Sequence, residues 1–117
     1  MNKEEMLYEL KKGNKPIEVA IAKWTDIVYN KGIDDGIYNC ALCHENESCS
    51  LCPLKDCLDD EAPYRKWYAH HLKQHAQDEE LEIICDTCLL LAQEMLNKLI
   101  ELNKSERIYG SITLKNY

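Results

Sequence analysis

Five cysteines fall within 18 residues: Cys40, Cys43, Cys49, Cys52 and Cys57, with the spacing C-x2-C-x5-C-x2-C-x4-C. A tight C-x2-C turn directs both sulfurs to one side, so two such pairs bring four thiolates to one ion. Around them, residues 39–62 show neither helical nor strand periodicity and are rich in turn formers and acids. A polar segment like this buries too little apolar surface to order itself, and a bound metal would supply the missing stability. The spacing therefore predicts a metal centre whose ligands come from Cys40, Cys43, Cys49, Cys52 and Cys57. Zinc is the expected ion, because two C-x2-C pairs furnish the four ligands of a tetrahedron. The alternative is a [4Fe–4S] cluster, which also takes four cysteines and suits the short gap between the pairs. Free or disulfide-linked thiols are the non-metal reading, although seven cysteines cannot all pair within one chain.

Charge restricts what such a loop can bind. The 117 residues carry a net charge of −7, and it is unevenly spread. Residues 40–62 hold Lys55 against Glu45, Glu47, Asp56, Asp59, Asp60 and Glu61, a balance of −5, while each flanking portion balances to −1. Modules that grip nucleic acid draw most of their affinity from Lys and Arg on phosphate. This acidic loop repels a phosphate backbone, so no direct nucleic-acid contact is expected and a protein partner is. No apolar run approaches the ~20 residues of a membrane span. The segment Met1–Leu10 lacks the apolar stretch of a signal peptide. A cytoplasmic protein is therefore expected, in a compartment where clustered cysteines bind metal more often than they form disulfides.

The remainder reads as helices. Residues 3–12 place Met6, Leu7 and Leu10 on one face, and Gly13-Asn14 ends that helix. Pro16 suits the first turn of a second helix, in which Ile17, Ala20, Ile21, Trp24, Ile27 and Val28 recur at helical spacing until Asn30-Lys31-Gly32. Pro63 opens a third, with Tyr64, Trp67, Tyr68, His71, Leu72 and His75 in one stripe. Asp78 is the expected N-cap of a fourth. The other possibility is a single helix from Pro63 to about Asn103. Leu81, Ile84, Cys85, Cys88, Leu91, Ala92, Met95, Leu99 and Leu102 make up its wide apolar face. The tail from Ile108 to Leu114 alternates like a strand. It would pair with a second copy, lie along the helices or stay disordered. The expected fold is all-α, a three- or four-helix domain over residues 1–104, with a metal-tied loop between the second and third helices and a separate tail at 105–117.

Other motifs carry less. Cys85 and Cys88 lie three apart on a helical face; they would complete a metal site, form a redox pair or pack as small hydrophobes, the commonest fate of free cysteines. His70, His71 and His75 lie close together; His71 and His75 are one turn apart and suit metal ligation, but their stripe also fits partly buried structural histidines. Cys40-Ala41-Leu42-Cys43-His44 matches the haem-attachment pattern C-x-x-C-H, a chemistry that needs export. No nucleophile–base pattern, H-E-x-x-H or phosphate-cradling glycine loop occurs in the sequence.

The order of Pro16-Ile17-Glu18, Trp24, Asn39-Cys40-Ala41-Leu42-Cys43, Cys49-x-x-Cys52-Pro53-Leu54, Cys57 and Pro63-Tyr64-x-x-Trp67 resembles small cysteine-rich proteins of unknown function encoded by phages and some prokaryotic genomes. The likeness spans about residues 16–100. It implies a compact helical unit around a cysteine loop, and no activity; Cys85 and Cys88 are not part of the pattern. The expected role is a non-catalytic, metal-stabilised binding or adaptor protein, of viral origin if the resemblance holds, acting through a protein partner. The alternatives are an iron–sulfur or dithiol redox or sensing protein, and an acidic decoy of a nucleic-acid-binding protein.

Overall fold

The computed structural model describes residues 1–45, Leu54 and 59–115, with side chains described except at Ile37 and from 105 onward. Among them the protein is helical: α1 (Lys3–Lys11), α2 (Pro16–Asn30), α3 (Ala41–Glu45), α4 (Pro63–Gln74) and α5 (Asp86–Lys115), with one 3-10 turn at Gly36–Asn39. No strand occurs among the described residues, and no helix searched is long and apolar enough to cross a membrane.

Local chemistry sets the ends of the first two helices close to where the sequence places them. Asn2 and Glu5 form a capping box: the Asn2 carboxamide oxygen accepts from the Glu5 amide at 2.8 Å, and Glu5 accepts from the Asn2 amide at 3.1 Å. Pro16 occupies the first turn of α2, where its missing N–H costs no hydrogen bond. Lys31 stops α2 in the left-handed conformation at φ 58, and the Gly32 amide bonds back to the Asp26 carbonyl at 3.0 Å.

The main core forms where α2 and α4 pack on α5. Ile17, Ala20, Trp24 and Ile27 of α2 and Trp67 of α4 meet Cys88, Ala92, Met95 and Leu99 of α5, all buried. The α5 positions follow a three-four spacing, the seam that packs against neighbouring helices. Trp24 and Trp67 meet edge-on, 5.2 Å between centroids, an arrangement aromatic quadrupoles favour. A smaller cluster of Met6, Val19 and Ala41 seats α1 on α2 and α3.

Two expectations change in the second half. Neither an N-cap at Asp78 nor one long helix from Pro63 forms: α4 ends at Gln74 and α5 begins only at Asp86. The chain reverses through His75, whose amide caps onto the His71 carbonyl at 3.0 Å, and through Ala76 at φ 53. No Gly or Pro marks this break, so tertiary bonds hold it. Likewise, the tail alternation yields no strand, and the backbone continues α5 as helix to Lys115. An isolated strand would have left its backbone donors and acceptors unpaired, whereas a helix satisfies them internally.

The reversed segment is fastened by a fully buried carboxylate. Asp34 Oδ1 accepts from Lys23 Nζ at 2.7 Å and from the Gly36 amide at 3.0 Å, while Oδ2 accepts from the Trp67 indole at 2.9 Å. The Asp34 main chain exchanges two hydrogen bonds of 2.8 Å with Leu81. Lys23 is itself buried. Removing one partner of a buried, hydrogen-bonded ion pair strands the other charge, at a cost of about 3–5 kcal/mol. Asp34→Ala is therefore expected to lower the unfolding free energy by about that amount in urea denaturation, while Lys66→Ala, which removes an exposed pair with Glu94 (3.9 Å), changes it by under about 1 kcal/mol.

Candidate metal centre

His70, His75, Cys85 and Cys88 converge so that one ligand atom from each lies within 4.8 Å of all the others. Three local features bring them together. His70 sits in the last turn of α4. His75 follows the helix end, where the left-handed Ala76 turns the chain back. Cys85 immediately precedes α5 and Cys88 lies in its first turn, so this C-x2-C pair straddles a helix N-terminus.

The individual distances fit one tetrahedral ion. Cys85 Sγ and Cys88 Sγ are 3.5 Å apart. Cys85 Sγ lies 3.3 Å from His70 Nε2 and 3.4 Å from His75 Nε2, and Cys88 Sγ lies 3.3 Å from His75 Nε2. A zinc tetrahedron with bonds of about 2.3 Å to sulfur and about 2.0–2.1 Å to nitrogen has edges of about 3.8 Å between sulfurs and about 3.5 Å between sulfur and nitrogen. These four of the six edges are within about 0.3 Å of those values, and the other two, from His70 to Cys88 and to His75, are within 4.8 Å. A disulfide would require an S–S distance of about 2.05 Å, and all four described cysteines are free.

Electrostatics divide the two thiols. Amide N–H groups of Cys88 and Thr87 at the start of α5 favour the Cys85 thiolate and lower its pKa, against the opposing effect of burial. Burial raises that of Cys88. Burial, then the neighbouring His75 and His71, lower the pKa of His70 and favour the neutral ring that a metal ligand must be.

His71 has a different task from the one its spacing suggested. It is fully buried, with Nδ1 2.8 Å from the Trp67 carbonyl and Nε2 2.7 Å from the Glu82 carbonyl. A neutral ring donates to one of these and an imidazolium to both. Either way His71 ties α4 to the segment that delivers Cys85. The sequence pairs His71 with His75, and their rings do lie 5.6 Å apart, but His71 turns into the core against Trp67, and because the chain leaves the helix at His75 it is His70 that joins His75 at the sulfurs.

Of the cysteine run, the structure brings Cys40 and Cys43 together. They flank the start of α3, and the Cys43 amide donates to Cys40 Sγ at 3.4 Å. The Cys43 side chain, chiefly, and the Lys23 charge hold the Cys40 thiol down to about 6 despite its burial, so it favours the thiolate that metals bind. Cys49, Cys52 and Cys57 lie outside the described residues. The complete four-ligand set among the described residues joins Cys85 and Cys88, for which the sequence left metal ligation as one reading beside a redox pair and core packing, to His70 and His75. A C-x2-C beside an H-x4-H at a helix end was the available signal. It was obscured because the expected helix ran straight through Cys85.

Comparison of the chain with family models, with curated proteins and with solved structures gives no match.

Because metal displaces the ligand protons, the Cys88 proton alone costs affinity tenfold for each pH unit below its raised pKa. Apparent zinc affinity in a chelator competition should therefore fall at least about a hundredfold from about pH 8 to about pH 6. An affinity that is flat across that window would remove Cys88 from the ligand set.

Proposed function

We propose that the protein is a non-catalytic, zinc-stabilised helical adaptor that acts through a protein partner. The observation that carries this reading is the near-tetrahedral His70–His75–Cys85–Cys88 set, in which the chain itself supplies all four ligands. Structural zinc sites close their coordination with protein side chains, whereas catalytic ones keep a position for water or substrate. The ligands also come from the end of α4, the reversed segment and the start of α5, so an ion there joins elements that hydrophobic packing alone leaves connected by an irregular loop. The cysteine run, of which Cys40 and Cys43 form the described pair, is the site of a second zinc in this reading. The overall charge of −7 favours a protein over a nucleic acid as partner. Thiolate ligands favour a reducing compartment such as the cytoplasm in this reading. The likeness to small phage-encoded proteins fits a viral adaptor.

One observation favours a second reading, dithiol redox or sensing chemistry. Cys85 is only partly buried, with a lowered pKa, 3.5 Å from Cys88. The two readings diverge on substitution. Structural zinc supplies about 10 kcal/mol or more of apparent binding energy, comparable with the whole stability of a small domain. Under the structural reading, elemental analysis of protein purified under reducing conditions gives two zinc ions per chain; Cys88→Ser loses one of them, and its near-UV circular dichroism collapses. A Cys88→Ser chain that keeps its native melting temperature would overturn the structural role and leave the redox one.

A further inference from the structure

An open cleft of about 550 Å3 lies between the turn after Asp34, the first half of α4 and the segment that joins His75 to Cys85. Its volume falls within the range of ligand sites, about 300–1,000 Å3. The walls are aromatic. Tyr64 and Tyr68 stack with centroids 6.5 Å apart and planes inclined by 23°, and the exposed Tyr38 faces the cleft from the 3-10 turn. Around them stand carboxylates: Asp35 on one side, and Asp78, Glu79 and Glu80 on the other. None of these four takes part in an ion pair among the described residues. Four uncompensated acids bordering one concavity repel each other, and a cation seated among them relieves that repulsion.

Two features narrow the cation. Tyrosine faces attract cations through the ring quadrupole, and a flat guanidinium stacks on them while its N–H fork reaches carboxylates. The chain already displays this contact: the Arg65 guanidinium carbon lies 6.0 Å from the Tyr68 ring centroid. A phosphate or carboxylate ligand is disfavoured by the same charges.

We propose that this cleft receives an arginine side chain from a basic segment of the protein partner. The proposal deepens the adaptor reading and rests on it. The net charge of −7 steers such a segment toward the chain. Leu81, at the floor of the cleft, pairs with Asp34, so the wall formed by residues 78–80 is held at one end by the buried carboxylate. On its other side the Gln77 amide donates to the His71 carbonyl at 3.4 Å.

The test is a nitrogen–proton correlation NMR titration of the full chain, its zinc content measured on the same sample, with a capped pentapeptide carrying one central arginine. Saturable shifts confined to Tyr38, Tyr64, Tyr68 and residues 78–81 are expected. The same peptide with citrulline in place of arginine should give none. Glu79→Gln/Glu80→Gln, exposed and without effect on folding, should weaken binding about fivefold, and Tyr68→Ala about tenfold. Absence of saturable shifts, equal binding of the citrulline peptide, or unchanged affinity in the double variant would overturn the proposal. So would spermidine binding the same residues as tightly, which would make the cleft a polyamine site. A zinc-loaded chain that ignores the peptide refutes the arginine cleft alone; a folded, zinc-free chain that binds it refutes the metal reading alone.

Discussion

The Asp34 carboxylate organises this small protein. It is fully buried and spends its acceptor capacity on three donors, Lys23 of α2, the Trp67 indole of α4 and the Gly36 amide, while its main chain pairs with Leu81. A carboxylate in an apolar interior is costly unless it is paired and hydrogen-bonded. Here that requirement fixes four segments at once. Gly36 can accept the left-handed φ of 61 that aims its amide at Asp34, and the adjoining turn then starts the path to Cys40. Besides the Gln77 amide, which reaches the His71 carbonyl at 3.4 Å, the Asp34–Leu81 exchange is what ties the backbone of the segment between α4 and α5 to the body of the protein among the described residues.

From this anchor the metal-ligating geometry follows. Leu81 is held by Asp34, and one residue on, the Glu82 carbonyl faces His71 at 2.7 Å. Those two contacts hold the chain that delivers Cys85 beneath the end of α4. His70 and His75 then approach the sulfurs without a regular element between α4 and α5. An ion held there would replace three weak sulfur–nitrogen contacts and the contact between the two sulfurs with coordinate bonds. Lys23 links the halves of the molecule electrostatically, since the same side chain that neutralises Asp34 also favours the Cys40 thiolate.

Much of the helical framework was legible because local rules govern it. The boundaries of α1 and α2 follow from Asn2, Gly13, Pro16 and Lys31-Gly32, each acting within a few residues, and Pro63 marks α4 in the same way. A break between His75 and Asp78 was one of the two readings the sequence offered, but its extension to Asp86 was not legible, because it depends on Asp34 and His71 reaching residues far along the chain. Missing that extension carried Cys85 onto a continuous helix face with Cys88, where they look like core residues. Cys88 is indeed fully buried within the core cluster, so packing and ligation coincide there, and periodicity alone cannot separate them. His70, though near His71 and His75 in sequence, was not the histidine the sequence paired with His75, because it lies off their stripe and only the turn at His75 brings it to the sulfurs. The tail alternation misled because period-two patterning decides strand over helix only where another strand offers partners.

The sequence pointed to a metal centre on the run from Cys40 to Cys57, whereas the four candidate ligands that converge among the described residues lie beyond it, at residues 70–88. Candidate ligands thus lie in two places, Cys40 and Cys43 early in the chain and His70, His75, Cys85 and Cys88 late. That division makes the His/Cys set separately measurable. X-ray absorption of the zinc-loaded Cys40→Ser/Cys43→Ser variant, which keeps His70, His75, Cys85 and Cys88 intact, reads its first shell directly. The prediction is two sulfurs at about 2.3 Å and two imidazole nitrogens at about 2.0–2.1 Å. A shell of four sulfurs, or of light atoms only, would contradict it.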